Sequence, residues 1–310
     1  TYDAEKLGFD TAILNQIDNI AQEAIDTKAT PGCQVMVVKS GNVVFQRSYG
    51  YFTYEKQQKV TNHSVYDVAS ITKVVATVPT IMHLTQSGEI DLDEKISSYI
   101  PDLDSTNKSE LVLRKILTHQ SGLRAEIPGW FETFGNEKRF EKYYRSEPSD
   151  SFAIKVSDDW YARTEIEDSL WFWSKKKSLR RKYRGRDYKY RYSDMGFYML
   201  KTLSEEILKQ KMNTFLDEHI YNPLGLGKMT YLPLEKYAQN KIVPSGYDSY
   251  FRKSDLQGYV HDYAAGLIGG VSGHAGVFSN ANDIAILMQM FLQDGSYGGK
   301  KYFEPELVKA

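Results

Sequence analysis

The first fifty residues change from a helical to a strand-like pattern of apolar positions. Apolar residues recur every three or four positions over residues 13–25, which predicts an amphipathic helix that ends before Pro31. Two segments rich in β-branched residues follow, 34–38 and 43–49, and a short link containing Gly41 joins them. This arrangement predicts a β-hairpin, so the chain begins with a helix and two strands.

From Ser70 to about residue 240 the apolar periodicity is mostly helical. The first of these helices is strongly apolar and is predicted to end at Gly88, with a kink at Pro79. Residues 259–279 are rich in glycine and predict turns. The other predicted helices are 111–118, 195–212 and one that starts near Asn282-Asp283.

The pattern predicts an α/β fold in which an antiparallel sheet is flanked by helices and accompanied by a mostly helical lobe. We assign residues 1–60 and 240–310 to the α/β lobe and residues 61–239 to the helical lobe. The 310 residues are 41% hydrophobic and 25% charged, which excludes a disordered chain or a coiled coil. With 39 basic and 40 acidic residues, the charge balance indicates no nucleic-acid partner, and no apolar stretch is long enough to span a membrane.

Residue types and spacings exclude several kinds of functional site. The single cysteine, Cys33, allows neither an internal disulfide nor a cysteine-based zinc cluster. The six histidines lack the spacing of metal ligands on one helix, and there is no Walker loop or Gly-x-Ser-x-Gly elbow. We therefore expect neither a metal nor an organic cofactor.

Residues 175–191 are unusually basic, since ten of these seventeen residues are Lys or Arg. One interpretation is a solvated loop. A second is a basic lid that recruits an anionic substrate, such as a cell-wall polymer. Nucleic-acid binding is a third, because Tyr183, Tyr188 and Tyr190 interleave the charges, although no recognition fold surrounds them.

Ser-x-x-Lys occurs three times, at Ser70/Lys73, Ser105/Lys108 and Ser174/Lys177. Only Ser70 opens a long apolar helix, whose positive N-terminal end can stabilise a developing oxyanion. Lys73 lies one turn later on the same face, and burial is expected to lower its pKa so that a neutral amine can accept the seryl proton. The alternative is a helix-capping serine followed by an ordinary surface lysine.

Three blocks resemble the serine β-lactamase and penicillin-binding-protein superfamily, and most closely its class C β-lactamase and esterase-like branch. They are Val68-Ala-Ser-Ile-Thr-Lys-Val74, Leu117-Thr-His-Gln-Ser-Gly-Leu123 and Tyr190-Arg-Tyr-Ser-Asp-Met-Gly-Phe197. The resemblance covers essentially the whole chain, with the blocks in the family order. It implies the β-lactamase/transpeptidase-like fold.

The resemblance also implies a serine hydrolase that forms an acyl-serine from a β-lactam, a D-Ala peptide or a carboxylic ester. Ser70 matches the nucleophile, Lys73 the base or base-activator, and Tyr192 the residue that relays the proton to the leaving group. Tyr190 and Tyr188 are rival candidates, and Ser193-Asp194 also resembles the Ser-Asp-Asn motif of the class A branch. We expect the Ser70 hydroxyl, the Lys73 amine and the Tyr192 hydroxyl to lie within hydrogen-bonding range.

Family resemblance further favours a small-molecule or peptidoglycan-derived substrate, a periplasmic or extracytoplasmic location, and fusion or association with a cell-wall glycoside hydrolase. Two alternatives stay open: a carboxylesterase that uses the same residues, and a non-catalytic binding module that retains the fold.

Two departures from the family pattern put the substrate in doubt. Asp194, a candidate substrate-binding residue, stands where the family has asparagine, and a carboxylate cannot donate a hydrogen bond to a substrate carbonyl. His274-Ala-Gly276 resembles the third family motif only superficially, and we expect His274 to be a turn residue. The chain ends at Ala310 without the later motif, so a truncated domain is expected. His119 is expected to be structural, in a hydrogen-bonded turn.

Overall fold

The computed structural model describes residues 2–182 and 185–310. All strand pairings among its sheets are antiparallel. The α-helices are α1 (Thr11–Leu14), α2 (Gln16–Asp26), α3 (Val78–Gln86), α4 (Leu113–Leu117), α5 (Glu137–Tyr143), α6 (Ile166–Lys176), α7 (Asp194–Leu208), α8 (Met212–Leu216), α9 (Asn222–Leu224), α10 (Tyr263–Leu267), α11 (Ala281–Leu292) and α12 (Pro305–Lys309). The strands are β1 (Gly32–Lys39), β2 (Asn42–Gly50), β3 (Tyr66–Asp67), β4 (Tyr144–Arg145), β5 (Ile154–Lys155), β6 (Tyr161–Ala162), β7 (Gly246–Tyr247), β8 (Asp255–Leu256), β9 (Phe278–Ser279), β10 (Ser296–Tyr297) and β11 (Lys300–Lys301).

The predicted helix–strand–strand start is confirmed. The Asp10 side chain accepts hydrogen bonds from the first turn of α1, and the helical segment divides at Asn15 into α1 and α2. Strands β1 and β2 form the hairpin and pair from Gly32 opposite Gly50 to Lys39 opposite Asn42. The register shifts once, between Val37 and Val38. Helix α2 packs against β2 and α11 packs against β1, so helices flank the hairpin.

The helical run that carries Ser70 differs in type from the expected α-helix. It starts with a 3₁₀ turn (Ala69–Ile71), continues as a π-helix (Lys73–Thr77) and becomes α-helical only in α3. Pro79 therefore lies in the first turn of α3, where its missing N–H removes no α-helical hydrogen bond. The structure accommodates the proline by this change of helix type.

This helical run lies between two apolar clusters. Ile81 and Leu84 belong to the larger cluster, which packs α3 and α4 against α6 and α7. Val75 and Met82 belong to a second cluster, formed with α8 and α11. Because the two sides of the run are buried against different clusters, the position of Ser70 and Lys73 is fixed by both.

The basic run 175–191 begins in the last turn of α6 and continues without helix or strand through its described residues. Tyr183 lies outside the described residues. Backbone hydrogen bonds join this segment to the Leu117–Leu123 block, from Arg180 N to the Gly122 carbonyl (2.8 Å) and from Arg191 N to the His119 carbonyl (2.9 Å). The described part is thus held beside that block.

Lys108, from the second Ser-x-x-Lys motif, is fully buried. Its ammonium group donates to the Lys175 carbonyl at 2.8 Å and to the Lys177 carbonyl, at the C-terminal end of α6. Burial lowers the pKa of Lys108 from its ordinary value of 10.5 to about 8. Lys108 therefore has a structural role at the C-terminal end of α6, where the helix dipole favours a positive charge.

We expect the stability contribution of Lys108 to increase with pH. Between pH 8 and pH 10.5 the unfolded chain binds a proton that the folded chain has released, so the free energy of unfolding rises by at most about 1.4 kcal/mol per pH unit. Urea denaturation of the wild type and of Lys108→Met on both sides of pH 8 measures this. The wild type should gain stability relative to the variant as the pH rises.

The matched control is Lys115→Met, which removes a half-exposed lysine on α4. This control shows how much of any change comes from losing one lysine charge at the surface. A constant difference between wild type and Lys108→Met across the range would contradict the lowered pKa.

Candidate active site

The turn that precedes Ser70 has a strained backbone that one partly buried carboxylate holds in place. Ala69 has a φ of +46°, in the left-handed region that is costly for a residue with a side chain. The Asp67 carboxylate accepts hydrogen bonds from Ala69 N and His261 N, both at 2.8 Å. Burial raises the pKa of Asp67 in spite of these two bonds. Strain of this kind, fixed by its surroundings, is characteristic of functional sites.

Lys73 is buried, with 4% of its surface exposed, and its amine lies among three oxygen atoms. The distances from Nζ are 3.0 Å to Ser70 Oγ, 3.1 Å to the His274 carbonyl and 2.6 Å to Asp194 Oδ1. The predicted contact between Ser70 and Lys73 is thus confirmed. In the described part of the chain, neither of the other two Ser-x-x-Lys motifs has a hydrogen bond between its serine and lysine.

These three contacts suit an amine that exchanges a proton with Ser70. The His274 carbonyl and the Asp194 carboxylate hold the amine within reach of Ser70 Oγ. An amine with a free lone pair in this position can take the seryl proton. The arrangement can therefore activate a serine nucleophile by general-base catalysis.

Asp194 is the first residue of α7, where the helix dipole stabilises its negative charge. Its backbone N–H donates to the Ala125 carbonyl at 2.7 Å, and its side chain is 28% exposed. The contact with Lys73 is an ion pair rather than a well-aligned hydrogen bond. Asp194, the residue that departs from the family pattern, thus lies directly beside Lys73.

Tyr192 faces Lys73 with its ring rather than with its hydroxyl. The distance from Lys73 Nζ to the centroid of the Tyr192 ring is 4.6 Å, which is a cation–π contact. In the described structure the hydroxyl makes no hydrogen bond to Ser70 or Lys73, so the expectation that all three groups hydrogen-bond is wrong for the tyrosine. The Tyr192 ring also packs against the ring of His119, with a distance of 4.7 Å between the two centroids.

His119 holds the segment that carries Tyr192 and Asp194. Its Nδ1 accepts a hydrogen bond from Ser193 N at 3.1 Å, and its carbonyl accepts from Arg191 N at 2.9 Å. Burial lowers the pKa of His119, and the positive charge of Lys73 lowers it further, so the neutral ring can act as this acceptor. The expectation of a hydrogen-bonded turn is confirmed.

Sequence reasoning missed Asp262 and underestimated His274. His274 lies in a bend, as expected, but it is almost fully buried, with its Nε2 2.8 Å from Asp262 Oδ1 and its Nδ1 2.8 Å from Ser272 Oγ. Its carbonyl contacts Lys73. The only local signal was that Asp and His occur within the glycine-rich segment 259–279.

The described residues contain neither a metal-binding cluster nor a membrane-spanning helix. No cluster of three or more His, Cys, Asp or Glu side chains is arranged to hold a metal ion. Among residues 2–182 and 185–310, no helix has both the length and the apolar character to cross a bilayer.

A buried lysine one turn after a serine, both on an apolar helical run, defines the class of serine hydrolases that work through an acyl-serine. The chain belongs to the Beta-lactamase family, whose family model matches residues 17–304. It is a serine hydrolase of that family, which acts on amides or esters.

Two relatives match nearly the whole chain. The N-acetylmuramyl-L-alanine amidase of Bacillus subtilis (strain 168) is 30% identical over 97% of this chain and 68% of its own length. A protein of Escherichia coli (strain K12) named "Putative D-alanyl-D-alanine carboxypeptidase" is 29% identical over 98% of this chain and 70% of its own length.

Solved structures show the same β-lactamase/transpeptidase-like fold. The octameric penicillin-binding protein homologue from Pyrococcus abyssi has a TM-score of 0.65 at 18% identity over 96% of this chain. This chain spans 59% of the length of that protein. A class C β-lactamase also has a TM-score of 0.65 at 18% identity, and 69% of its length is covered.

Proposed function

We propose that the protein cleaves an amide in peptidoglycan-derived material through an acyl-serine at Ser70. The observation that carries this proposal is the 3.0 Å contact between Ser70 Oγ and the buried amine of Lys73. The Ser70 proton passes to Lys73 as Oγ attacks the substrate carbonyl carbon and forms the Oγ–C bond. The C–N bond then breaks, and the amine leaves with a proton. Water hydrolyses the acyl-serine and regenerates the hydroxyl.

In this proposal Tyr192 delivers the proton to the leaving amine. Tyr192 is 38% exposed at the site, and catalytic hydrogen bonds often tighten only when substrate is bound. Asp194 keeps Lys73 in place through one carboxylate oxygen. Its other oxygen accepts a hydrogen bond from a substrate N–H, which a carboxylate can do and which suits an amide substrate.

The names of two relatives support the substrate class. They are called an N-acetylmuramyl-L-alanine amidase and a "Putative D-alanyl-D-alanine carboxypeptidase", and both names refer to amide bonds of cell-wall material. Such a substrate is made available when a glycoside hydrolase cuts the glycan. We therefore also propose that the protein acts in an extracytoplasmic or periplasmic location, in association with such a hydrolase.

A non-catalytic binding module is the second candidate, and the ion pair between Lys73 and Asp194 favours it. The Asp194 carboxylate lies 2.6 Å from Lys73 Nζ, closer than Ser70 Oγ at 3.0 Å, so it competes with the serine for the amine. The two candidates differ in one observable, the formation of a covalent adduct at Ser70.

The test is treatment with a fluorophosphonate probe, followed by intact-protein mass spectrometry and peptide mapping. We expect one adduct on Ser70 and none in Ser70→Ala. Ser105→Ala is the matched control, because it removes the serine of another Ser-x-x-Lys motif, and it should label like the wild type. The absence of an adduct on the wild type would contradict the enzyme proposal and favour the binding module.

A panel of substrates then distinguishes cleavage of a cell-wall amide from carboxylesterase activity. Release of L-alanine from a muramyl-L-alanine amide supports the proposed reaction. Turnover of p-nitrophenyl acetate without cleavage of any cell-wall amide or of nitrocefin identifies a carboxylesterase and contradicts the proposed substrate class.

A further inference from the structure

Three polar side chains behind Lys73 form a hydrogen-bonded chain that the proposed acylation does not use. They are Ser272, His274 and Asp262, joined by two contacts of 2.8 Å through the two ring nitrogens of His274. Ser272 is completely buried and His274 is 1% exposed. Since no substrate can reach Ser272 there, the chain is not a second nucleophile site.

Asp262 anchors this chain. The same carboxylate oxygen that contacts His274 accepts a hydrogen bond from Ala265 N at 2.8 Å and caps α10. Burial favours the neutral acid, but the charge and hydrogen bond of His274 outweigh it and lower the pKa of Asp262 to about 2. The ionised carboxylate only accepts, so His274 Nε2 carries a proton and donates to it, while Nδ1 contacts the Ser272 hydroxyl.

The backbone of the same segment contacts the helix that carries Lys73. The His274 carbonyl accepts from Lys73 Nζ at 3.1 Å. On one side of it the Thr77 hydroxyl donates to the Gly273 carbonyl at 2.6 Å, and on the other Val277 N donates to Thr72 Oγ1 at 3.1 Å. The carbonyl of His274 is thus fixed by neighbours along the chain and by the imidazole of its own residue.

Without the imidazole, the peptide group of residue 274 has freedom to rotate between these two backbone anchors. The lysine would then lose an acceptor and its alignment toward Ser70 Oγ. A misplacement of about 1 Å at a reacting group can cost about 100-fold in rate.

We infer that His274 is a positioning residue: its imidazole, held between Asp262 and Ser272, keeps its own carbonyl on Lys73 and thereby keeps the amine on Ser70. This inference rests on the proposed function, because it concerns the same nucleophile. His274 does not touch the substrate, and it acts only through Lys73.

The test measures phosphonylation of Ser70 as a function of fluorophosphonate concentration. In this reaction Ser70 Oγ bonds to phosphorus, fluoride leaves, and Lys73 takes the seryl proton. For His274→Gln we expect the limiting rate constant to fall about 10- to 100-fold. The probe concentration at half the limiting rate should change by less than about twofold, since probe binding is not affected.

Asp262→Asn is the second variant, because its amide oxygen can still cap α10. We expect a similar loss of limiting rate, and a double variant that loses little more than either single one, since the residues act as a unit. The matched control is His219→Gln, at a half-exposed histidine outside the site, with an expected rate equal to that of the wild type. Thermal denaturation identifies any variant that does not fold.

Three results would overturn the inference. The first is a folded His274→Gln that reacts at the wild-type limiting rate. The second is a loss that appears equally in probe binding and in the limiting rate, which indicates general loosening of the fold. The third comes from crystal structures: if Lys73 Nζ stays within hydrogen-bonding distance of the residue 274 carbonyl in His274→Gln, the imidazole does not position it. If even the wild type fails to label, the proposed function is wrong, and the crystal structures still decide the inference.

Discussion

Lys73→Met is expected to slow phosphonylation of Ser70 by about 100- to 10,000-fold, the range typical of losing a positioned general base. Methionine has a similar length and fits a buried site, but it can accept no proton from Ser70. Lys73 Nζ is the group that lies 3.0 Å from Ser70 Oγ. Stopped-flow or gel-based labelling of wild type and variant measures the effect.

The Tyr192→Phe variant is the control for this result. It keeps the ring that contacts Lys73 at 4.6 Å and removes only the hydroxyl. Because fluoride leaves without needing a proton, Tyr192→Phe should label nearly as fast as the wild type, while it should slow cleavage of an amide. A Lys73→Met variant that labels as fast as the wild type would show that another group activates Ser70.

The contact between Ser70 and Lys73 could be predicted from sequence because it is local. Three positions along any helix bring two side chains to the same face, and the flanking apolar pattern indicated that this face is buried. The type of helix could not be predicted in this way. The 3₁₀ turn has three residues and the π-helix has five, too few for an apolar period to distinguish either from an α-helix.

The other contacts of Lys73 depend on residues far along the chain. The bond to His274 spans 201 positions, and no local pattern encodes it. The ring of Tyr192 packs on His119, which accepts a hydrogen bond from Ser193, 74 positions away. Sequence could identify the phenol as part of the site, but only the tertiary packing shows that its ring, and not its hydroxyl, faces the lysine.

The conformation of the segment behind Lys73 depends on glycine at position 276. Its φ of +121° is open to glycine and strained for any residue with a side chain. A Cβ atom added there would lie 2.0 Å from the Gly270 carbonyl oxygen and 3.0 Å from the ring of Tyr231. The nearest atom belongs to the backbone, so no change of rotamer can relieve the clash.

Gly276→Ala is therefore expected to lower the free energy of unfolding by about 3 kcal/mol, at the upper end of ordinary single substitutions. Urea denaturation measures this loss. Two glycines provide matched controls. Gly225→Ala has a positive φ of +72° but open space around the new Cβ, so it should cost only about 1–2 kcal/mol. Gly227→Ala has neither constraint and should change stability by less than about 0.5 kcal/mol.

The order of these three losses is the decisive observation, because it separates the steric clash from the backbone conformation. Gly276 lies two residues after His274, so relief of the clash should displace the segment that carries the His274 carbonyl. Folded Gly276→Ala protein should therefore also label more slowly at Ser70. A Gly276→Ala protein no less stable than Gly225→Ala would show that the Gly270 carbonyl can move aside. The segment behind Lys73 would then be more adaptable than its packing indicates.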